Sequence, residues 1–229
     1  MRIDVAFVPS EEGSAAVGIV VDVVRATSSI AQALAAGYER VLCCREIDEA
    51  TALRRELGDE AVVGGERNGV VVEGFDVGAS PREFAQRPKA RTLILSTTNG
   101  TAAILAAAAR CDTVLLGALL NLDAVCAAAR ARGGDVAVFC AGCKGTFALD
   151  DAFCAGRIVT TLGGGRTDAA RAAELLARSY ATPLDGLKAR RYGPPGLEAD
   201  VEHCARENLL TTVPRFTRMD GPAAEVCAA

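Results

Sequence analysis

Several short stretches of this chain combine residue types suited to handling a phosphate group. Asp22-Val23-Val24-Arg25-Ala26-Thr27-Ser28-Ser29 holds a carboxylate, a guanidinium and a run of hydroxyls. Gly64-Gly65-Glu66-Arg67 sets an acid beside a base, and Ser96-Thr97-Thr98-Asn99-Gly100-Thr101 is a hydroxyl-rich, Gly-containing turn. Farther on come Asn121 and then Cys140-Ala141-Gly142-Cys143-Lys144-Gly145, which leads into Asp150-Asp151. Glycines and hydroxyls at a helix start expose backbone N–H groups, and the helix dipole favours an anion there. The 27–29 and 97–101 stretches have that character. Arg25 and Arg67 could grip phosphate oxygens in bidentate fashion. Asp22, Glu66, Asp150 and Asp151 offer the hard oxygens that Mg²⁺ prefers. A metal ion together with a guanidinium is a common way to stabilise the charge of phosphoryl transfer.

Plainer readings stand beside these. Thr98-Asn99-Gly100-Thr101 also reads as a turn and helix cap, Glu66-Arg67 as a solvated ion pair, and Asp150-Asp151 as a capping pair. Asp22 resists such a reading. It interrupts the aliphatic run ending Val20-Val21 and resuming Val23-Val24, and a buried carboxylate needs a partner.

Other catalytic signatures fail. No DxDx[TV] pair exists, because Val23 and Val24 follow Asp22. His203 is the only histidine and sits in a helical Glu-His-Cys context. Cys126 and Arg132 satisfy C-x5-R, but on an Ala-rich helix rather than a Gly-rich loop. Cys140 and Cys143 form a CxxC after a strand, which is a redox pair, half a zinc site or small residues in a tight turn. With no second CxxC and no nearby histidine, zinc is a poor fit. A thiol redox enzyme using Cys140 and Cys143 therefore remains one alternative function.

These clusters need elements to position them. RIDVAFV, AVGIVVDVV, RVLCC, EAVVGG, RTLILS, DTVLLG and DVAVFC read as strands, apolar on successive residues as in sheets covered on both faces. Helices are expected at Ser28–Ala36 before the Gly37 cap, and at Asp48–Leu57, Thr101–Arg110, Leu122–Arg132 and Asp150–Leu162. Thr167 or Asp168 caps another, running to Tyr180. The alternation predicts an α/β fold of three layers, α/β/α, around a mostly parallel or mixed sheet. In such sheets ligands bind beyond the carboxyl ends of the strands, which is where every polar cluster falls. The last third reads as strand-poor: two or three helices, a Pro194-Pro195 turn and a tail around TTVPRF. The whole of 1–229 is expected to form a single domain, with 166–229 as a helical cover after the 163–166 GGGR turn.

Composition narrows the partners. The 229 residues are 50% hydrophobic and 24% charged, enough aliphatic material for a core and against disorder. A net charge of -4 with 4% aromatic residues argues against nucleic acid. Nearly all the positive charge is Arg, with Lys only at Lys89, Lys144 and Lys188. The start lacks signal-peptide character, and the Ala15–Val24 run is too short for a membrane span. Nine scattered cysteines, an odd number, fit reduced thiols in a cytoplasmic protein. The apolar segment LLTTVPRF is suited to a homodimer interface or to internal packing.

Taken in order, DVVRATSSIAQALAAG (22–37), GGERNGVVVEGFDVGASPREF (64–84), TTNGTAAI (97–104), GALLNLDAV (117–125), CAGCKGTFALDDAFCAG (140–156) and DVEHCARENLLTTVP (200–214) resemble the ComB-like 2-phosphosulfolactate phosphatase family over nearly the whole chain. That resemblance implies an α/β/α fold and a Mg²⁺-dependent phosphomonoesterase of coenzyme M biosynthesis. Its reaction converts (2R)-2-phospho-3-sulfolactate and water to 3-sulfolactate and phosphate. It implies catalytic roles for Asp22, Arg25 and Asp151, and a metal held by Asp22, Glu66 and Asp151. Substrate contacts would come from Arg67, Thr27, Ser28, Thr98, Asn99, Gly100, Thr101 and Lys144. Asp76 and Ser80 would line the same cleft, although Gly74 and Gly78 suggest a structural turn there. The chain departs from the family in carrying Asp150 where Glu is expected, and in the second Cys of CAGC. Two routes stay open: attack by Asp22 to give an aspartyl phosphate, or in-line attack by a water activated by the metal. The second is favoured, since no second Asp stands two residues after Asp22. The alternative from a different class is a non-catalytic binder of multiply anionic phosphorylated metabolites.

Overall fold

The computed structural model describes residues 1–11, 13–86, 88, 90–191 and 196–229, so the expected Pro194-Pro195 turn lies outside the described residues. The chain runs β1 (Arg2–Ala6), β2 (Ala15–Val21), α1 (Ala26–Ala36), β3 (Arg40–Cys44), α2 (Ile47–Leu57), β4 (Ala61–Arg67), β5 (Val70–Val71), β6 (Thr92–Ser96) and α3 (Gly100–Ala108). It continues through β7 (Cys111–Gly117), α4 (Leu122–Arg132), β8 (Val136–Cys140), α5 (Leu149–Leu162), β9 (Gly165–Arg166) and α6 (Asp168–Arg178). Last come α7 (Pro183–Lys188), α8 (Glu198–Cys204), β10 (Pro214–Asp220) and β11 (Ala223–Ala228). The local signals explain several boundaries. Gly37 closes α1 at a left-handed φ of 112°, and the Thr167 hydroxyl accepts the Ala170 N–H to start α6.

The strands form one mixed sheet in the order β5-β4-β6-β3-β11-β10-β7-β2-β8-β1-β9. Alternate residues of each buried strand face different helices. Val20, Leu95, Leu116 and Phe139 pack with Ile30 and Leu34 of α1 and Ile104 of α3. Their neighbours Ile19, Leu115 and Val138 pack with Val125 of α4, Phe153 and Ile158 of α5, and Ala173 of α6. On the β3 side, Leu42 and Cys44 meet Ala50 of α2. Two helical layers thus sandwich the sheet, as the doubly apolar strands required.

The helical-cover expectation needs correction in its last part. α6 packs against β1 and α5, with α7 on α5 and α8 beside α7, but Pro214–Ala228 is a β-hairpin inserted in the middle of the sheet. β11 runs antiparallel to β3 through Ala224–Cys43, Glu225–Leu42 and Val226–Val41. β10 meets β7 at the single pair Arg215–Leu115, so the sheet is sparsely laced at that seam. The hairpin contributes Ala224 and Val226, with Phe216 beside them, to the core, burial that a surface tail would forgo. Leu209 of the LLTTVPRF segment stays exposed, whereas Phe216 packs inward. Among the described residues no helix is long and apolar enough to cross a membrane.

Candidate active site

A cavity of about 450 Å³ opens where β2, β4, β6 and β8 end, the edge at which the polar clusters were expected. At the end of β2 the chain folds into a tight turn held by its own hydroxyls. Thr27 Oγ1 donates to the Asp22 carbonyl at 2.9 Å and accepts the Asp22 N–H at 3.2 Å, while Ser28 Oγ donates to the Val23 carbonyl at 2.7 Å. Both side chains are buried and absent from the cavity wall, so they shape the turn rather than meet a ligand. The turn leaves Asp22 facing the cavity, its Oδ1 accepting the Ala26 N–H at 3.2 Å.

α3 begins hard against this carboxylate. A Cβ on Gly100 would stand 2.6 Å from the Ala26 Cβ and 3.1 Å from Asp22 Oδ2, so glycine is what lets the helix start approach the acid. Thr101 looks the other way, donating to the Cys44 carbonyl at 3.1 Å. Thr98 and Asn99 line the cavity. The Thr98 N–H and hydroxyl each reach Glu66 Oε1 at 2.9 Å, and Asn99 Oδ1 accepts the Lys144 N–H at 3.0 Å.

Carboxylates crowd this edge. Glu66 lines the cavity with Asp22, and its Oε2 accepts the Gly69 N–H. Asp151 is buried with both oxygens occupied: Oδ1 accepts the Val23 N–H at 2.8 Å and Oδ2 the Gly142 N–H at 3.0 Å. It therefore clamps the loop after β2 to the loop after β8. Asp150 Oδ2 pairs with Arg190 Nη1 at 3.4 Å. Burial, reinforced by the neighbouring charges of Glu66 and Asp150, pushes Asp22 up to about 7 against the pull of the Ala26 N–H. Burial and then the charges of Asp150 and Asp22 hold Asp151 well above the usual carboxylate range. Among the described residues, no three His, Cys, Asp or Glu side chains converge as a ready metal cage. The expected trio of Asp22, Glu66 and Asp151 is thus not brought to one point.

Three cations face the same space: Arg25, Lys144 and Arg190. Arg25 Nη1 pairs with Asp200 Oδ2 at 2.9 Å. Lys144 is exposed, on a tight turn where Cys143 and Thr146 exchange backbone hydrogen bonds of 2.9 and 3.0 Å. Arg67, expected on the substrate, is not on the cavity wall; its guanidinium donates to the Glu66 and Arg45 carbonyls and to Ser96 Oγ, each at 2.8 Å. Asp76 also serves the scaffold, accepting the Val63 N–H at 2.9 Å and the Arg54 Nε–H at 3.3 Å. Ser80 sits one layer behind the cavity, donating to Asp200 Oδ1 at 2.5 Å.

Arg190 and Asp200 were not singled out from sequence. Asp200 lies on the buried face of α8 with Val201 and Cys204, and the only sequence signal for it is an acid four residues before Cys204 in a short apolar-spaced stretch. Arg190 had none. Cys143 lines the cavity and Cys140 is buried in β8; all nine cysteines are free thiols. Burial raises both thiols, the opposite of what a reactive thiolate needs. His203 faces Gln32 at 3.3 Å and is absent from the cavity wall.

The family model for 2-phosphosulpholactate phosphatase matches residues 6–219. A protein of Clostridium acetobutylicum described as a probable 2-phosphosulfolactate phosphatase is 35% identical over 209 residues, covering 87% of this chain and 88% of the relative. One of Carboxydothermus hydrogenoformans with the same description is 37% identical over 232 residues, covering 96% and 95%. A third, of Thermus thermophilus, also so described, is 38% identical over 225 residues, covering 93% and 94%.

Proposed function

We propose that this chain, which belongs to the 2-phosphosulpholactate phosphatase family, is a Mg²⁺-dependent phosphomonoester hydrolase acting on 2-phospho-3-sulfolactate. The observation that carries the reading is the cavity itself, where the Asp22 and Glu66 carboxylates face Arg25, Arg190 and Lys144. A substrate bearing phosphate, carboxylate and sulfonate needs several cations in one place, and an anion binder alone would gain nothing from a buried Asp22 and a half-buried Glu66 beside them.

Mg²⁺ fits the donor set. Asp22 is raised chiefly by burial and then by its neighbours Glu66 and Asp150, and a divalent cation at the site would offset both penalties on its charge. Mg²⁺ commonly takes one or two carboxylates, with waters and substrate phosphate completing its shell, so Asp22 and Glu66 suffice. Asp151, with both oxygens committed to N–H groups, serves as the clamp that holds the Asp22 turn. When bound, the cation would neutralise phosphate charge and make water a stronger nucleophile.

The protein's own groups supply the rest. Arg25 and Arg190 neutralise oxygens of the anion at the buried side, and Lys144 does so at the open side. The start of α3 directs its N–H groups toward the same region. Water adds its oxygen to phosphorus in line, the ester P–O bond breaks, and 3-sulfolactate leaves with a proton from that water. The nine free thiols suit a reducing, cytoplasmic setting.

The test is phosphate release from a panel of 2-phospho-3-sulfolactate, phospholactate and an aryl phosphate. Preference for the sulfonated ester supports the full reading. Preference for phospholactate keeps the reaction and changes the substrate. Saturable binding of the esters without release favours a non-catalytic binder.

A further inference from the structure

We infer that Asp200 is a positioning residue, whose buried carboxylate on α8 fixes the Arg25 guanidinium in the orientation that meets the substrate anion. The inference rests on the phosphatase reading of the cavity and extends it to a residue outside the cavity wall.

Asp200 is 5% exposed, and the side chain of Arg25 is 10% exposed. Arg25 Nη1 donates to Asp200 Oδ2 at 2.9 Å, and Arg25 Nη2 lies 3.5 Å from the Gly69 carbonyl. The other carboxylate oxygen, Oδ1, accepts the Ser80 hydroxyl at 2.5 Å and stands 3.9 Å from Arg82 Nη1. Two different partners therefore hold the two oxygens, so the carboxylate cannot swing. It meets Arg25 through one Nη rather than as a two-pronged fork, and Nη2 reaches only the Gly69 carbonyl at 3.5 Å, so the remaining N–H bonds of the guanidinium are the ones offered to the cavity that Arg25 lines.

The arrangement solves a specific problem. The cavity contains its own carboxylates, Asp22 and Glu66, and a long arginine without a tether would pair with them. That collapse would fill the anion's place and neutralise the acids. A buried ion pair contributes little to stability compared with apolar packing, but it does fix a direction, and fixed direction is what transition-state stabilisation requires. Arg82, with a 55% exposed side chain, is the weaker member of this node.

The experiment is a double-mutant cycle on Mg²⁺-loaded full-length protein: wild type, Asp200→Asn, Arg25→Ala and the double variant. kcat and KM for phosphate release from 2-phospho-3-sulfolactate are measured, with the affinity for inorganic phosphate followed by calorimetry in parallel. Asp200→Asn in the wild-type background is expected to lower kcat/KM about 10- to 100-fold. In the Arg25→Ala background the same change is expected to cost less than about twofold. Asp200→Glu, which restores the charge, recovers part of the loss. Should Asp200→Asn fail to fold, Asp200→Ser replaces it in the same cycle.

An equal loss in both backgrounds, or no loss in the wild-type background, overturns the inference. If wild type releases no phosphate from 2-phospho-3-sulfolactate, phospholactate or the aryl phosphate, the phosphatase reading fails by itself, and the cycle is then read on phosphate affinity. Non-additive affinities there still support the positioning role. Additive ones, or no phosphate binding by wild type, overturn it.

Discussion

Replacing Asp22 by Asn should make the metal-free protein more stable and inactive. The Asp22 carboxyl is raised from 3.8 to about 7, chiefly by burial and then by Glu66 and Asp150. A group whose folded value lies above its unfolded value holds its proton more tightly in the native state. Its ionisation therefore costs little below pH 4, destabilises the fold progressively between about pH 4 and pH 7, and levels off above that, where both states are ionised. The interval from 3.8 to about 7 corresponds to an upper limit of about 4 kcal/mol at pH 8. Asparagine retains an oxygen for the Ala26 N–H bond and carries no charge to bury. Urea unfolding in EDTA should show Asp22→Asn more stable than wild type by about 1–4 kcal/mol at pH 8, with the gap closing toward pH 4. Mg²⁺ should stabilise wild type at pH 8 and leave the variant nearly unchanged. A variant that is less stable at pH 8, or a gap that ignores pH, would refute the idea that Asp22 is a buried acid strained by its neighbours.

Three further outcomes follow from the packing and the thiol chemistry. Gly100→Ala pushes a methyl to 2.6 Å from the Ala26 Cβ and 3.1 Å from Asp22 Oδ2. It should destabilise by about 1–3 kcal/mol in a denaturant titration and lower kcat, because the α3 start must back away from the acid. Gly156→Ala tests the contact between α5 and α6, where the added Cβ would meet the Ala173 carbonyl oxygen and sit 2.7 Å from its carbon. Helix propensity favours alanine by about 1 kcal/mol, but a backbone group cannot swing aside, so the melting temperature should fall. Cys143→Ser should keep phosphate release within about twofold of wild type, since a thiol raised by burial is a poor nucleophile; a tenfold loss would return the thiol to the chemistry.

The three layers and the site's edge could be read because their causes are local. Runs such as Val17–Val21 and Leu93–Leu95 are apolar on both faces, and Gly37 and Thr167 mark helix ends by conformational and hydrogen-bonding needs that involve only near neighbours. Asp22 stood out because an acid in an aliphatic run must have a purpose. The Pro214–Ala228 hairpin was hidden for a different reason. Its strands meet at a turn where Gly221 adopts a φ of 57°, but prolines at 214 and 222 weaken a strand reading. Its place between β3 and β7 depends on residues far away in sequence. The same distance hid Arg25–Asp200 and Asp150–Arg190, partners 175 and 40 residues apart in sequence that only the folded chain joins. Thr27, Ser28, Thr101 and Arg67 had the right chemistry for a phosphate site, yet their polar atoms are used by nearby backbone groups. Residue type alone does not distinguish a ligand contact from a scaffold contact.

The most direct test of the account is phosphate release from 2-phospho-3-sulfolactate by wild type and by Asp22→Asn, each with Mg²⁺ and then with EDTA. The account predicts turnover only for wild type with Mg²⁺, while both proteins stay folded. Turnover by wild type in EDTA, or comparable turnover by folded Asp22→Asn, would contradict it.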